Sequence, residues 1–598
     1  MIALLLLACQ PEVDFTSVSY TQGELIPGFE HGNSGWAGVA LLDFDSDGWL
    51  DIFLTNGLSQ ADALYKNQGN GQFLDVASEV GLASREQHGG VASADLDNDG
   101  DPDLVIVKDC TLGTLQEDGT AVRDGGVQVA WNNDGVFSTE ALTFKEQAAE
   151  LGICPVSVEL VDTNGDGWLD ISVSNGLDLD QVYPWIYRKE TREGVDVILL
   201  SDQEGGFDQA VVLESTPVGD VLNPDEFEFQ FATFTSAYMD VNFDGLVDKI
   251  SGFGGGPLGV YIQEEPNFFQ LRPEWSTQVQ GLWMGLALAD FDGDGDIDMY
   301  STNQGLSPLI NDYDNIPEPF DDENEPGWLS RNVRPFHTIF ENQRGFFDDN
   351  DADLIADHLL PGDVFDGMPS ADGLAYPGWV EPEGLARFGW AWGTTTIDID
   401  SDGWMDVVFN ANNCAAPLRI VGDESAGAGP GTVLRNREGE GFEDVTWKWG
   451  VGNVQEDGSY PDGRGVAVGD LNNDGFPDIV YANRTFNPSQ SSPLAQQPGI
   501  PNVLLSAGNP GNWLQLDLVG TQSNRDGIGA YVRIKTEERS FFYLFEPGGT
   551  TNSSNERLFT VGVGSADKVD VAVLFPSGKQ VRLDKIQSNQ RIVVQESS

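Results

Sequence analysis

The chain is poor in positive charge, cysteine, histidine and long apolar runs, and each shortage argues against a class of function. Its 598 residues carry 30 Lys and Arg against 97 Asp and Glu, a formal charge of −67. Nucleic-acid binding needs a basic footprint that releases counterions, so no nucleic-acid partner is expected; charge-driven docking on anionic lipid fails for the same reason. The four cysteines, Cys9, Cys110, Cys154 and Cys414, make no CxxC and no disulfide framework, and a Cys110–Cys154 bridge stays open. The four histidines, His31, His88, His337 and His358, fall in no metal spacing. No GxSxG elbow, P-loop or dinucleotide fingerprint occurs, so the chain is not expected to be an enzyme. His31 and His88 each precede an acidic repeat, close to glycine. A structural or surface role is expected for them, with ligand contact as the alternative.

High charge with low hydrophobicity can mean disorder. Here the hydrophobic fraction is 40%, with 15 Trp, 33 Phe and 13 Tyr, enough for a sizeable core. The 71 Gly and 30 Pro imply many turns between short strands. The one long apolar run, residues 2–8, is far short of the ~20 residues that span a bilayer. Leu6-Leu7-Ala8-Cys9 resembles the lipobox of a bacterial lipoprotein signal, although no Lys or Arg precedes the run. On that resemblance residues 1–9 are a signal segment and Cys9 is the lipidated first mature residue. Gln10 then suits outer-membrane sorting, and a lipid anchor is the only membrane contact expected. An ordinary secretory signal with an incidental Cys9 is the alternative.

One nonapeptide, D-x-[DN]-x-D-G-x-x-D, recurs seven times. Copy one offers Asp43, Asp45, Asp47 and Asp51. Copy two offers Asp95, Asp97, Asp99 and Asp103, with the carbonyl of Asp101. Copy three offers Asp162, Asn164, Asp166 and Asp170. Copy four offers Asp240, Asn242, Asp244 and Asp248. Copy five offers Asp290, Asp292, Asp294 and Asp298, with Asp296 at position seven. Copy six offers Asp398, Asp400, Asp402 and Asp406. Copy seven offers Asp470, Asn472, Asp474 and Asp478. A small or apolar run precedes each copy and a β-branched, aromatic run follows, as in GVALL and DIFLTN around the first. Each copy therefore reads as the loop of a β-hairpin, and several units add a third strand and turn, as in ALYKN before GNGQF. Copy starts lie 52, 67, 78, 50, 108 and 72 residues apart, a pitch that suits propeller blades with insertions better than a tight solenoid. The expected fold is all-β, with a seven-bladed β-propeller over 10–510. Asp14–Tyr20 is expected to join the last blade, and 305–390 is the largest insertion. Radial repetition leaves only short protected edges.

Oxygens at positions one, three, five and nine converge if the loop turns sharply at the glycine of position six, and a carbonyl at position seven completes six or seven ligands. Such an all-oxygen set suits Ca²⁺, up to seven ions, and not Zn²⁺. The loop is not an EF-hand, because position twelve is never Glu and the flanks are strands. An Asp/Gly turn stabilised only by its own side chains is the alternative for a single copy. Seven dications would bring the formal charge only from −67 to −53. Trp49, Trp168 and Trp404 share position seven and are read as packing residues.

From about residue 511 the nonapeptide stops and alternating strands follow (YVRIKT, SFFYLF, KVDVAVLF), which read as a small β-sandwich over 511–598. NRDGIGA at Asn524–Ala530, Gly548-Gly549, VGVG at Val561–Gly564 and FPSG at Phe575–Gly578 resemble the ASPIC/UnbV domain. Phe559–Gly564 and Phe575 stand where that family more usually has His-Phe-Gly-Leu-Gly and a Trp. The seven loops resemble FG-GAP/VCBS repeats, the blades of integrin-α-type propellers. The combination resembles the cartilage acidic protein family. That resemblance implies a secreted or cell-surface calcium-binding protein with a role in extracellular interaction and no established reaction. The expected reading is a monomer whose propeller face and 305–390 insertion meet an extracellular protein or glycan. A polysaccharide hydrolase or lyase working at the central channel, and a purely structural envelope scaffold, are the alternatives.

Overall fold

The computed structural model describes residues 15–17, 37–56, 61–108, 125–142, 155–175, 196–213, most of 233–303, 336–340, 391–411, 431–454, 461–484, 500–508, 511–548 and 552–597, with short strands at 114–115, 121–122 and 380–381. The proposed lipidation at Cys9, the Cys110–Cys154 bridge, His31 and nearly all of the 305–390 insertion lie outside the described residues. The described chain is all-β, with a single short helix, Ala77–Val80.

Each nonapeptide is the loop of an antiparallel hairpin, and the register is the same in all seven. The residue before position one pairs with the aspartate of position nine: Leu42 with Asp51, Ala94 with Asp103, Val161 with Asp170, Met239 with Asp248, Ala289 with Asp298, Ile397 with Asp406 and Gly469 with Asp478. A third strand follows each hairpin, such as Ala63–Asn67 and Thr432–Asn436. Most units carry a fourth. In the seventh unit the added strand is the early segment Phe15–Ser17, paired antiparallel with Leu504–Ser506. Units four and five join as one seven-stranded sheet through Gly254–Leu282 and Gly256–Gly281.

The first strands of the hairpins, Val39–Leu42, His88–Ala94, Pro155–Val161, Thr233–Met239, Gly281–Ala289, Ala391–Ile397 and Asp462–Gly469, pack each on the next, and the last packs on the first. Their glycines permit that approach. A Cβ on Gly393 would lie 2.5 Å from the Arg464 carbonyl oxygen of the neighbouring strand. Third-strand asparagines add cross-ties. The Asn67 Nδ2 donates to Leu471 O, Asn132 Nδ2 to Phe44 O, and Asn436 Nδ2 to Phe291 O, so each reaches the loop of the preceding unit.

The C-terminal residues form a three-stranded sheet (Asn512–Val519, Phe559–Gly564, Gln590–Gln595) and a four-stranded one (Tyr531–Lys535, Ser540–Leu544, Lys568–Leu574, Gln580–Gln587). They sit on the nonapeptide loops. Leu514, Leu516, Val561 and Val571 belong to one buried cluster with Val105, Leu199 and Phe409 of the repeats. A connecting segment leaves these sheets and enters the space between the first strands. Ser553–Ser554 pairs in parallel with Val39–Ala40. Ser554 Oγ accepts from Ser93 N, Asn555 Nδ2 donates to Thr395 Oγ1, and Asn555 Oδ1 accepts from Val468 N. Glu546 Oε1 accepts from Tyr238 N. One short stretch thus bonds to the first strands of units one, two, four, six and seven.

Candidate metal centres

The loops share one hydrogen-bond plan. The aspartate at position one clamps the turn: Asp43 Oδ1 accepts from Asp47 N (3.0 Å) and Oδ2 from Gly48 N (2.9 Å). The same pair recurs at Asp95, Asp162, Asp240, Asp398 and Asp470. In loop five Asp290 Oδ1 accepts from Gly293 N, a position-four bond that loop three makes as well through Gly165 N. The glycine at position six has positive φ in every copy, from +85° at Gly48 to +108° at Gly100. Position four is also left-handed where described: Ser46, Asn98, Gly165, Gly293, Ser401 and Asn473. Its run of Ser, Asn and Gly was the available signal for that conformation. Position five then accepts from the N–H of position seven, as Asp47 does from Trp49 (3.0 Å).

The aspartate at position nine is a staple as well as a candidate ligand. Asp103 Oδ2 accepts from Leu96 N (3.0 Å) and Oδ1 from Asn132 N (2.8 Å) on the third strand. Asp51, Asp248, Asp406 and Asp478 make the same two bonds. All are essentially unexposed. Burial pushes Asp51, Asp103 and Asp248 up to about 8 despite those donors. Burial likewise pushes Asp95 and Asp162 up to about 7, helped by neighbouring acids.

Carboxylate oxygens converge within 4.8 Å of one another at Asp43, Asp45 and Asp51; at Asp95, Asp97 and Asp99; at Asp290, Asp292 and Asp294; and at Asp398, Asp400 and Asp406. In loops four and seven, Asn at position three turns its amide onto position five: Asn242 Nδ2 donates to Asp244 Oδ2 (2.9 Å) and Asn472 Nδ2 to Asp474 Oδ2 (3.1 Å). Asn164 Oδ1 accepts from Asp166 N (3.0 Å). The Asp101 side chain turns aside to accept from Asp134 N (2.8 Å), and Asp296 is fully buried.

The sequence reading missed two basic residues. Lys66 bridges Asp45 and Asp47, and Arg435 bridges Asp400 and Asp402. Both occupy one register, just after the third-strand residue that pairs with position ten. Trp131, Leu200, Ile262 and Leu505 stand there in the other described units. Lys66 and Arg435 hold the Oδ2 atoms, while Asp45 Oδ1 and Asp400 Oδ1 are buried without a hydrogen-bond partner. A buried unpaired carboxylate oxygen among other acids is costly without a cation. The donor set is all oxygen, so these loops fit a hard divalent ion.

Of the histidines, His88 is structural: it is fully buried, with Nδ1 2.5 Å from Asp62 Oδ2. Trp404 is buried and Trp49 packs against Gly69, as expected for packing residues.

Comparison with known proteins agrees with this architecture. Residues 32–106 and 240–301 match the FG-GAP-like repeat, 463–492 match the FG-GAP repeat, and 520–598 match the ASPIC and UnbV family. The chain is thus an all-β protein that joins FG-GAP repeats to a C-terminal ASPIC/UnbV domain. Among particular proteins it is similar to human integrin alpha-6, 30% identical over 132 residues, which is 21% of this chain and 9% of the integrin. It is also similar to cartilage acidic protein 1 of Mus musculus, 42% identical over 69 residues, covering 11% of this chain and 10% of that protein. The chain therefore spans about a tenth of the length of the curated relatives it matches. Solved structures of similar shape include the Vibrio cholerae biofilm matrix protein Bap1 (TM-score 0.38, 12% identity, 83% of this chain and 92% of that one). Another is a Bacillus licheniformis rhamnogalacturonan lyase (TM-score 0.35, 10% identity, 83% and 76%).

Proposed function

We propose that this chain is an exported, non-enzymatic interaction protein: a seven-bladed propeller stapled by calcium, carrying its C-terminal domain over the loop face and meeting an extracellular protein or glycan. The observation that carries the calcium reading is the convergence of acids in loops one, two, five and six, where Asp45 Oδ1 and Asp400 Oδ1 are buried without a hydrogen-bond partner. The blade count is supported by the seven first strands that neighbour one another in a cycle. The FG-GAP repeats and the similarity to integrin alpha-6 favour protein interaction.

The chain's own segment around Ser553 sits between the first strands, where a channel-based hydrolase or lyase would need its substrate. That weighs against the enzymatic alternative. No described helix is long and apolar enough to cross a membrane. Attachment in this reading runs through a lipid on Cys9. Each ion would be held by the oxygens of positions one, three, five and nine, neutralise their charge and keep the hairpin ends together. Counting ions by native mass spectrometry in calcium, then screening protein and glycan arrays with calcium and with chelator, tests the reading. Retention of calcium with saturable binding and no turnover is expected. Absence of bound calcium, or turnover of an arrayed polysaccharide, would refute it.

A further inference from the structure

The C-terminal domain bonds to the same residue, position one, in four of the seven loops. In loop two, Asp95 N–H donates to Asp526 Oδ2 (2.7 Å), and Arg525 lies 3.1 Å from the Asp95 carboxylate. In loop four, Asp240 N–H donates to Tyr531 Oη (3.4 Å). In loop six, Gly562 N–H donates to Asp398 Oδ2 (2.7 Å). In loop seven, Asp470 N–H donates to Glu556 Oε2 (2.8 Å), and Gln515 Nε2 donates to Asp470 Oδ2 (2.8 Å). Among the described residues no such bond reaches Asp43, Asp162 or Asp290.

The choice of oxygen matters. Asp398 Oδ2 and Asp470 Oδ2 each already accept from the loop glycine, Gly403 or Gly475, so the domain's donor fills that oxygen's second lone pair. Among the described residues, Oδ1 of the same carboxylates accepts only from position five, Asp402 N or Asp474 N. Docking therefore fixes the carboxylate from one oxygen and leaves capacity for a cation on the other. Both events demand the same rotamer of the position-one aspartate and the same turn.

We propose that the C-terminal domain is a calcium-coupled latch. Gln515 and the Gly562 amide position the carboxylates of loops seven and six, Asp526, Tyr531 and Glu556 position the backbone turns of loops two, four and seven, and metal in those loops in turn tightens docking. The coupling is reciprocal by linkage, so each event strengthens the other by the same factor, on the order of tenfold. The proposal rests on the calcium reading above and adds that the seven sites fall into a latched group and an unlatched group.

Hydrogen–deuterium exchange on the full chain, in calcium and in chelator, tests it together with an ion count. Calcium is expected to slow exchange at 513–516 and 556–563, segments that hold none of the loop ligands. In Gln515→Met, which keeps the side-chain volume and loses the donor, calcium protection of 470–476 should fall several-fold while that of 43–49 stays as in the parent. If the chain holds calcium but exchange at 513–516 and 556–563 is unchanged by it, the latch is wrong and the calcium reading survives. If no calcium is counted, the calcium reading itself is wrong and the latch goes with it. The parent-protein arm decides the matter even if Gln515→Met fails to fold.

Discussion

At the scale of single residues, the aspartate that ends each nonapeptide carries more than its share. In loop two its two oxygens satisfy two buried backbone donors, one in the loop and one on the third strand, so it closes the hairpin and ties on the third strand at once. In Asp103→Ala the N–H groups of Leu96 and Asn132 lose their acceptor, at about 1–3 kcal/mol each. Urea denaturation in saturating chelator, which removes any ion's contribution, should still show a loss of at least about 2 kcal/mol. An unchanged midpoint would mean that Asp103 matters only as a ligand. His88 offers a second test, remote from the loops. Burial alone would lower its basicity, but Asp62 and Glu86 hold the imidazole up at about 9. The folded chain thus binds this proton more tightly than the unfolded chain, whose imidazole titrates near 6.5. The stabilisation is complete below about pH 6.5 and is lost as pH rises through about 9. His88→Gln should remove that decline from the chemical-denaturation profile.

At the scale of elements, the hairpins were legible in sequence because a fixed Asp/Gly spacing and its alternating flanks describe local backbone, and local backbone is what a nine-residue pattern encodes. The N-terminal strand on the seventh unit was legible too, from its position ahead of the first repeat. The cross-ties were not. Asn67, Asn132 and Asn436 sit in runs that read as ordinary third strands, and their partners lie one unit back, up to 404 residues away in the chain. Lys66 and Arg435 were hidden for the same reason: their charge acts across a strand pairing, not along the chain. Arg435 is nearly buried between Asp400 and Asp402 and supplies loop six with a resident positive charge. Removing it takes away the counter-charge it gives Asp400 and Asp402, which metal would then have to supply. Arg435→Leu should therefore widen the gap between melting temperatures in calcium and in chelator. An equal fall in both conditions would assign Arg435 to packing alone.

At the scale of the whole molecule, three features join the end of the repeat array to its beginning: the Phe15–Ser17 strand on unit seven, the Asn67 bond to Leu471, and the Asn473 Nδ2 bond to Gly48 O. The C-terminal domain adds a fourth by bonding to first strands from five units through one segment, and its core is continuous with the cores of units two to six. Among the described residues these ties cross between the repeats and the C-terminal domain, so calorimetry should give one transition for the two together. Two resolved transitions would show that the shared cluster is not cooperative. Charge sets the conditions under which that transition is most exposed. A formal −67 repels itself, and salt screens the repulsion over a Debye length of about 10 Å at 0.1 M. Chelation removes the counter-ions proposed for the loops. The single melting temperature should therefore drop on chelation, and drop further at low than at high ionic strength. A drop independent of salt would mean that the ions act only by geometry, and no drop at all would leave the acidic loops held by their own hydrogen bonds.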